Sequence, residues 1–363
     1  MQTPTRTNES RCRQYLAAHE GLLTILGPRR IPAVLPASHA TDATIPICTS
    51  VGFRQVEVKD YHGAINILRP DVAISAADII MSSSSSTKRK AKSVERTFTW
   101  LDELSGAEWL RQTSDRQTAV FATIPSVENC QLSMDSFDLV GENSILFSGL
   151  AMHAPMLIPN LPTSLSGFPR ICLSHPMSPH DILDNVLLGT DLMTIPFVNL
   201  SSDQGIALDF NLFTSAKESD LPLPLGHDIW SLDHQISLHP LSFKCDCYTC
   251  MNHHKAYLSH LLQAKEMLAW TLLQIHNYAI VARFFRDIRI TLANGTIEAQ
   301  SAIFRKSYMQ HLPVATGTGP RIRGYQVKST GGGEAKINEK VWGKFDNASA
   351  KSAESQGEPL SPS

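Results

Sequence analysis

The sequence predicts an α/β fold with a parallel sheet, open or closed into a barrel, followed by a helical segment that carries a cysteine cluster. Three observations lead there. Short apolar runs recur as far as Leu208, helical stretches sit between them, and beyond Lys255 the chain changes to long helical periodicity. Continuous apolar runs, as opposed to alternating ones, belong to strands covered on both faces. Their alternation with helices argues for parallel pairing.

Taken in order, the strand candidates are Ile45–Cys48, Val72–Ser75, Ala119–Ala122, Ile145–Phe147, Ile171–Leu173, Leu192–Ile195 and Ile206–Leu208. A helix is expected over Tyr61–Leu68, stopped by Arg69-Pro70 because proline disfavours helical backbone in the residue before it. Ser93–Leu104 places Val94, Thr97, Leu101 and Leu104 on one helical face. Ser178 is the expected N-cap of a helix with Pro179 at its first position and Gly189 past its end. Ser82–Ser86 with Thr87-Lys88-Arg89-Lys90 is expected to be a solvated loop; the sharper reading is a basic contact for a phosphate backbone. Lys255–His276 and Val281–Leu292 are expected to be two helices, the second ended by Asn294-Gly295. From Val314 onward the Gly-, Ser-, Lys- and Glu-rich composition predicts disorder.

The 363 residues are 42% apolar and 18% charged, enough to build one large domain with an appendage or two ordinary ones. The formal charge of −2, from 32 basic and 34 acidic side chains, gives no bulk basic character for gripping nucleic acid unaided. No apolar run reaches the roughly 18 residues of a membrane span; Met267–Phe285 is interrupted by Gln274, His276, Asn277 and Arg283. The first twenty residues have no apolar core of a secretory signal, and Glu9 and Glu20 oppose a transit peptide despite Arg6, Arg11 and Arg13.

Of seven cysteines, Cys12, Cys48, Cys130 and Cys172 are scattered, whereas Cys245-x-Cys247-x-x-Cys250 is compact. An odd number in a long chain argues against a disulfide framework. Three thiols so close in sequence can converge on one ion, and thiolates suit zinc in a closed, four-coordinate structural site. Spacing leaves the fourth ligand open among His253, His254, His260 and His276.

The stretch from Cys245 through Lys255-Ala-Tyr-Leu-Ser-His-Leu-Leu262 and Glu266-Met-Leu268 to His276-Asn277 resembles the zinc subdomain of the tRNA-guanine transglycosylase family. The resemblance makes Cys245, Cys247, Cys250 and His276 the ligands of one structural Zn2+. Upstream, Lys92-Ser-Val-Glu-Arg-Thr97 with Trp100-Leu101, Gly149-Leu-Ala151, Pro169-Arg-Ile171 through Leu183, and Gly189-x-Asp191-Leu192 resemble further family motifs. So do, faintly, Leu26-Gly-Pro-Arg-Arg-Ile31 and Gly319–Tyr325, which are similar to fungal members. The implied fold is a (β/α)8 TIM-type barrel with a C-terminal zinc-binding helical subdomain. The match runs from about Thr49 to Leu292, so the barrel is expected to be N-terminally incomplete. Expected boundaries are 1–238 for the barrel portion, 239–300 for the zinc subdomain and 301–363 for a largely disordered tail.

Active family members use an aspartate nucleophile at ribose C1′. The register puts Thr194 at that position, and Thr49 where the family has a second aspartate. Ala77 occupies the place of a base-reading aspartate, with Asp78 adjacent, and Pro125 aligns near a pocket glutamine. A threonine hydroxyl without a base is a poor replacement for a carboxylate facing an oxocarbenium-like centre. The resemblance therefore implies no catalytic residue in this chain. It implies instead a non-catalytic member of a heterodimer, whose partner, the catalytic subunit of queuine tRNA-ribosyltransferase, supplies the nucleophile and whose complex holds the tRNA. Localisation is expected to be cytoplasmic, with peripheral attachment at the mitochondrial outer surface implied by resemblance alone. Two other readings are an active base-exchange enzyme with carboxylates relocated to Asp78, Asp191 or Asp203, and an unrelated zinc-stabilised binding protein. His153 and His175 are expected to be ordinary polar or buried histidines near strand ends.

Overall fold

The computed structural model describes residues 10–31, 33, 34, 36, 38–49, 52–80, 85–111, 118–125, 131–214 and 221–320, with the backbone alone for 131–136. Cys130 and the segment 321–363 lie outside the described residues. Helix α1 (Arg11–Leu16) leads to β1 (Ile25–Leu26), the hairpin β2 (Thr44–Thr49) and β3 (Gly52–Glu57), then α2 (Val58–Leu68) and β4 (Val72–Ile74). There follow α3 (Thr87–Ser105), α4 (Glu108–Arg111), β5 (Ala119–Ile124), α5 (Gln131–Glu142), β6 (Gly149–Met152), β7 (Arg170–Cys172), α6 (Pro179–Leu187) and β8 (Leu192–Met193). The chain then forms α7 (Phe197–Gln204), β9 (Ile206–Leu208), β10 (Gly226–Asp228), α8 (Tyr248–Asn252), α9 (Lys255–Gln263), α10 (Met267–Ala293) and α11 (Ile297–Ser307).

Six strands pair in the order β1-β4-β5-β6-β7-β8, every pair parallel. The α/β class is thus as expected, and the sheet fits part of a TIM-like barrel. Among the described residues no pairing joins β8 back to β1. Strands β4 and β6 are buried at every position, the both-faces burial that their unbroken apolar runs predict. Ser178 caps α6 in a full capping box: its hydroxyl accepts from the Asp181 N–H while the Asp181 carboxylate accepts from the Ser178 N–H.

Several expectations need correction. Ile45–Cys48 lies in an antiparallel hairpin, β2 against β3, since Thr49 pairs with Gly52 across a two-residue connection that only antiparallel strands allow. Ile206–Leu208 likewise pairs antiparallel, with β10. Ile145–Phe147 is not a strand; β6 begins at Gly149, where the Phe121 ring occupies the space of a side chain and a Cβ would come within 2.4 Å of it. Thr87–Lys90 is the first turn of α3, with the Ser86 hydroxyl accepting from the Arg89 N–H at 3.3 Å. The break in the long helical pattern falls at Lys265, not after His276. Lys265 adopts φ 56°, and its neighbour Glu266 donates its N–H back to Leu261 O, which closes α9. Helix α11 crosses the expected boundary at 300 and buries Phe304 completely.

The appended helices share a core with the end of the sheet. Phe210 packs edge-on against Phe284 at 5.2 Å between ring centres, and Phe304 stacks on Tyr308 at 4.6 Å. Ile182, Phe197, Ile206 and Leu208 belong to the same cluster. No helix among the described residues is long and apolar enough to cross a membrane.

On α2, His62 is buried, and its Nε2 has no partner among the described residues. Burial drives its imidazole down to about pKa 4. The sign follows from linkage: above the unfolded value of about 6.5 both states are neutral, and below it the unfolded chain gains the proton first, so stability falls as pH drops from 6.5 towards 4. Between pH 7 and pH 5 this one group should remove roughly 2 kcal/mol. His62→Gln should lose correspondingly less over that interval in urea unfolding; an equal loss in both proteins would contradict the assignment.

Candidate functional site

Cys245, Cys247, Cys250 and His276 bring four ligand atoms within 4.8 Å of one another. Cys245 and Cys247 lie on the loop entering α8 and Cys250 within it; the Cys247 sulfur caps the first turn by accepting from the Cys250 N–H at 3.4 Å. His276 sits in the middle of α10, fully buried, with Nδ1 at 3.6 Å from Cys247 Sγ and 3.3 Å from Cys250 Sγ. Its Nε2 lies 2.8 Å from Leu208 O. A carbonyl can only accept, so Nε2 carries the proton and Nδ1 keeps its lone pair for the sulfurs. Hydrogen bonding from Cys250, against a smaller desolvation penalty, holds the Cys245 thiol far below its ordinary range, to about 3. Burial works to lower His276, but hydrogen bonds with Cys245 and Cys247 carry it up to about 9, so Nδ1 takes a proton at neutral pH unless a metal ion claims its lone pair. Three thiols and one oriented imidazole form a soft, four-donor set able to hold a metal ion.

The other histidines left open by spacing do different things. His253 stacks on Tyr257 at 5.1 Å, His254 Nδ1 caps α9 by accepting from the Tyr257 N–H at 3.1 Å, and His260 points to solvent. Asn277, beside His276, ties α10 to the sheet. Its Oδ1 accepts from Leu208 N (2.8 Å), and its Nδ2 donates to Ile206 O and Ser202 Oγ, each at 2.9 Å.

A cavity of about 440 Å3 lies beyond the C-terminal ends of the parallel strands, where Ala77, Thr123, His153, His175, Thr194 and Arg29 are among its walls. That is the end at which barrel and doubly wound folds place their chemistry. None of its lining residues is an aspartate or glutamate. Thr194 donates its hydroxyl proton to Ser174 O at 3.1 Å. Thr49 is outside the cavity lining and donates to Gly52 O at 2.7 Å. Asp78 turns away, its carboxylate gripped by both nitrogens of Arg89 (2.7 and 2.6 Å) and by Arg96 (3.2 Å). Arg89 is thereby consumed within the fold, while Lys88 and Lys90 remain exposed.

Asp191 precedes β8, at the opposite strand end, and accepts from Arg170 N at 2.8 Å. Asp203 sits on α7, where burial raises its carboxyl. His153 is held neutral, driven to about pKa 3 by burial and then by Arg29 and His175; burial also lowers His175. Arg29 and Arg30 are the cavity residues that sequence reasoning left without a role; the Gly27-Pro28-Arg29-Arg30 run was the available signal.

A family model described as queuine tRNA-ribosyltransferase matches residues 2–310. The chain is similar to proteins called queuine tRNA-ribosyltransferase accessory subunit 2. The one from Schizosaccharomyces pombe is 32% identical over 330 residues, covering 90% of this chain and 74% of that protein. Those from Anopheles gambiae and Xenopus tropicalis are 27% and 28% identical, covering 76% and 75% of this chain and 66% and 74% of their own lengths.

Replacing Asn277 by alanine strips partners from the buried Leu208 N–H and Ile206 C=O. Unfolding in urea should show a loss of roughly 2–4 kcal/mol; a loss under about 0.5 kcal/mol would show that this tie carries no weight.

Proposed function

Because this chain belongs to the queuine tRNA-ribosyltransferase family, we propose that it is the non-catalytic accessory subunit of a heterodimer that exchanges guanine for queuine at the wobble position of tRNAs with GUN anticodons. The observation that carries this is a cavity whose described lining holds no carboxylate. Base exchange at C1′ needs a group that attacks or stabilises a carbon with cationic character as the base departs. The Thr194 hydroxyl, spent on Ser174 O and with no acidic neighbour in the cavity, offers neither a low pKa nor a negative charge. Asp78, next to the cavity residue Ala77, is neutralised by the guanidiniums of Arg89 and Arg96. The same facts disfavour relocated carboxylates, since Asp191 and Asp203 sit elsewhere.

The resident metal in this reading is one Zn2+ held by Cys245, Cys247, Cys250 and His276. When bound it would supply a cross-link between the cysteine loop at α8 and α10. With all four positions taken by protein, its part is structural. The donor set fits: the Leu208 carbonyl fixes the tautomer that presents His276 Nδ1 to the thiolates.

The partner face is the apolar surface beside this loop. Leu232, Ile236, Leu238 and Phe243 are each at least three-quarters exposed, and Tyr248 and Met251 join them. Clustered large apolar side chains on a surface mark an interaction site. With a net charge of −2, the chain contributes to tRNA binding through the complex.

Guanine exchange into a substrate tRNA, assayed with this chain, its catalytic partner and the mixture, should appear or rise strongly only in the mixture. Ile236→Asp with Phe243→Asp should abolish that stimulation while leaving the fold intact. Exchange by this chain alone would overturn the reading. Metal analysis of the purified protein should find about one zinc per chain, and Cys250→Ser should lose it and lower the melting temperature. A metal-free wild-type protein with an unchanged melting curve would contradict the zinc assignment.

A further inference from the structure

We propose that the cavity at the C-terminal ends of the parallel strands is a binding site for an anion: a phosphate or carboxylate carried on a compact, largely apolar body of about mononucleotide size. The inference rests on which charges face the cavity and which of them are already matched.

Among the described residues, the cavity walls hold two arginines, Arg29 and Arg30, and no acidic side chain. Arg29 donates one Nη2 hydrogen bond, to Ile79 O at 3.0 Å, and has no ion-pair partner among the described residues. The carboxylate that could have balanced it, Asp78, is saturated by Arg89 and Arg96. Asp78 acts on Arg29 only at a distance and against the opposing charge of Arg89, so burial still weighs on the guanidinium, and a bound anion would relieve it through charge-assisted, bidentate hydrogen bonds.

His175 adds a second, independent pointer. Its Nε2 accepts from the Ala33 N–H at 3.2 Å, which places the ring proton on Nδ1. That Nδ1–H is buried and has no acceptor among the described residues. Buried donors are rarely left unpaired, and a small rotation of the ring would bring this one to an acceptor in the cavity that His175 lines. Ile25, Ile74, Ile171 and Leu173 supply apolar walls for the rest of the ligand. The volume of about 440 Å3 falls within the range of roughly 300–1,000 Å3 typical of small-molecule sites. A pocket that reads a purine through carboxylates favours neutral or cationic bases; here the charge pattern is reversed, and a cationic base would meet the arginines.

The anion can arrive on a free small molecule or on a nucleotide of RNA, and the experiment separates the two. Titration calorimetry on the full chain at near-physiological salt, roughly 0.15 M, would compare guanosine monophosphate, guanosine, inorganic phosphate and a short single-stranded RNA. The expected result is binding of the monophosphate at least tenfold tighter than guanosine. Arg29→Gln should bring the two together with an unchanged melting temperature, and Thr194→Asp, which adds a carboxylate to the cavity, should weaken the monophosphate alone. If the RNA binds, the monophosphate does not, and Arg29→Gln abolishes the RNA binding, the anion is carried on RNA and the assignment stands. It is overturned if guanosine binds as well as its monophosphate, if neither substitution alters anion binding, or if no probe binds the folded protein. The base-exchange assay does not enter this test, so failure here leaves the accessory-subunit reading to be judged on its own.

Discussion

Two neighbouring polar side chains in the middle of α10, His276 and Asn277, hold the helical half of the molecule against β9. Both are fully buried, and together they meet the main chain of β9 at Leu208 N, Leu208 O and Ile206 O. Buried polar groups this well matched are far more costly to disrupt than exposed ones. Their arrangement fixes everything near them. The bond to Leu208 O sets the His276 tautomer, the tautomer turns Nδ1 to the sulfurs, and the sulfurs draw in the loop that bears the exposed apolar face. Thr249 adds a further tie, donating to Leu272 O at 2.8 Å. The metal cluster and the end of the sheet are therefore parts of one construction, joined by the aromatic packing of Phe210, Phe284 and Phe304.

The cavity at the other side of the sheet follows a different logic. A fold of this kind gathers functional side chains at the C-terminal strand ends whether or not they react. Here the place is kept, and the described walls carry no carboxylate. Thr194 is bonded to a carbonyl, Asp78 is bound inside a cluster of arginines, and the remaining charge on the walls is positive. A subunit relieved of the chemical step is free to lose its acid groups, while the packing that supports the sheet stays under constraint.

How much of this was legible in the sequence depended on the range of the forces involved. The N-cap at Ser178 and the cysteine triplet are local, and both are readable from the sequence, whereas the reciprocal bond from Asp181 is added by the structure. His276 is 26 residues from Cys250, and spacing left it among four histidines; family resemblance singled it out, and the tie to Leu208 gives the physical reason. The hairpin β2–β3 was misread because Ile45–Cys48 is as apolar as a central strand, and only its pairing partner reveals the antiparallel register. The helix break at Lys265 escaped notice because no glycine or proline marks it; the left-handed turn is taken by a lysine and held by the Glu266 bond to Leu261 O. The pairing of Asp78 with Arg89 is made from the first turn of α3, which composition reads as a solvated basic loop.

The central claim, that this chain supports base exchange without performing it, is tested most directly by asking which subunit becomes covalently attached to tRNA. Mixing both subunits with substrate tRNA and resolving the products on a denaturing gel should give a protein–tRNA adduct with the mass of the catalytic partner alone. An adduct formed on this chain, at Thr194 or at any relocated carboxylate, would contradict the account.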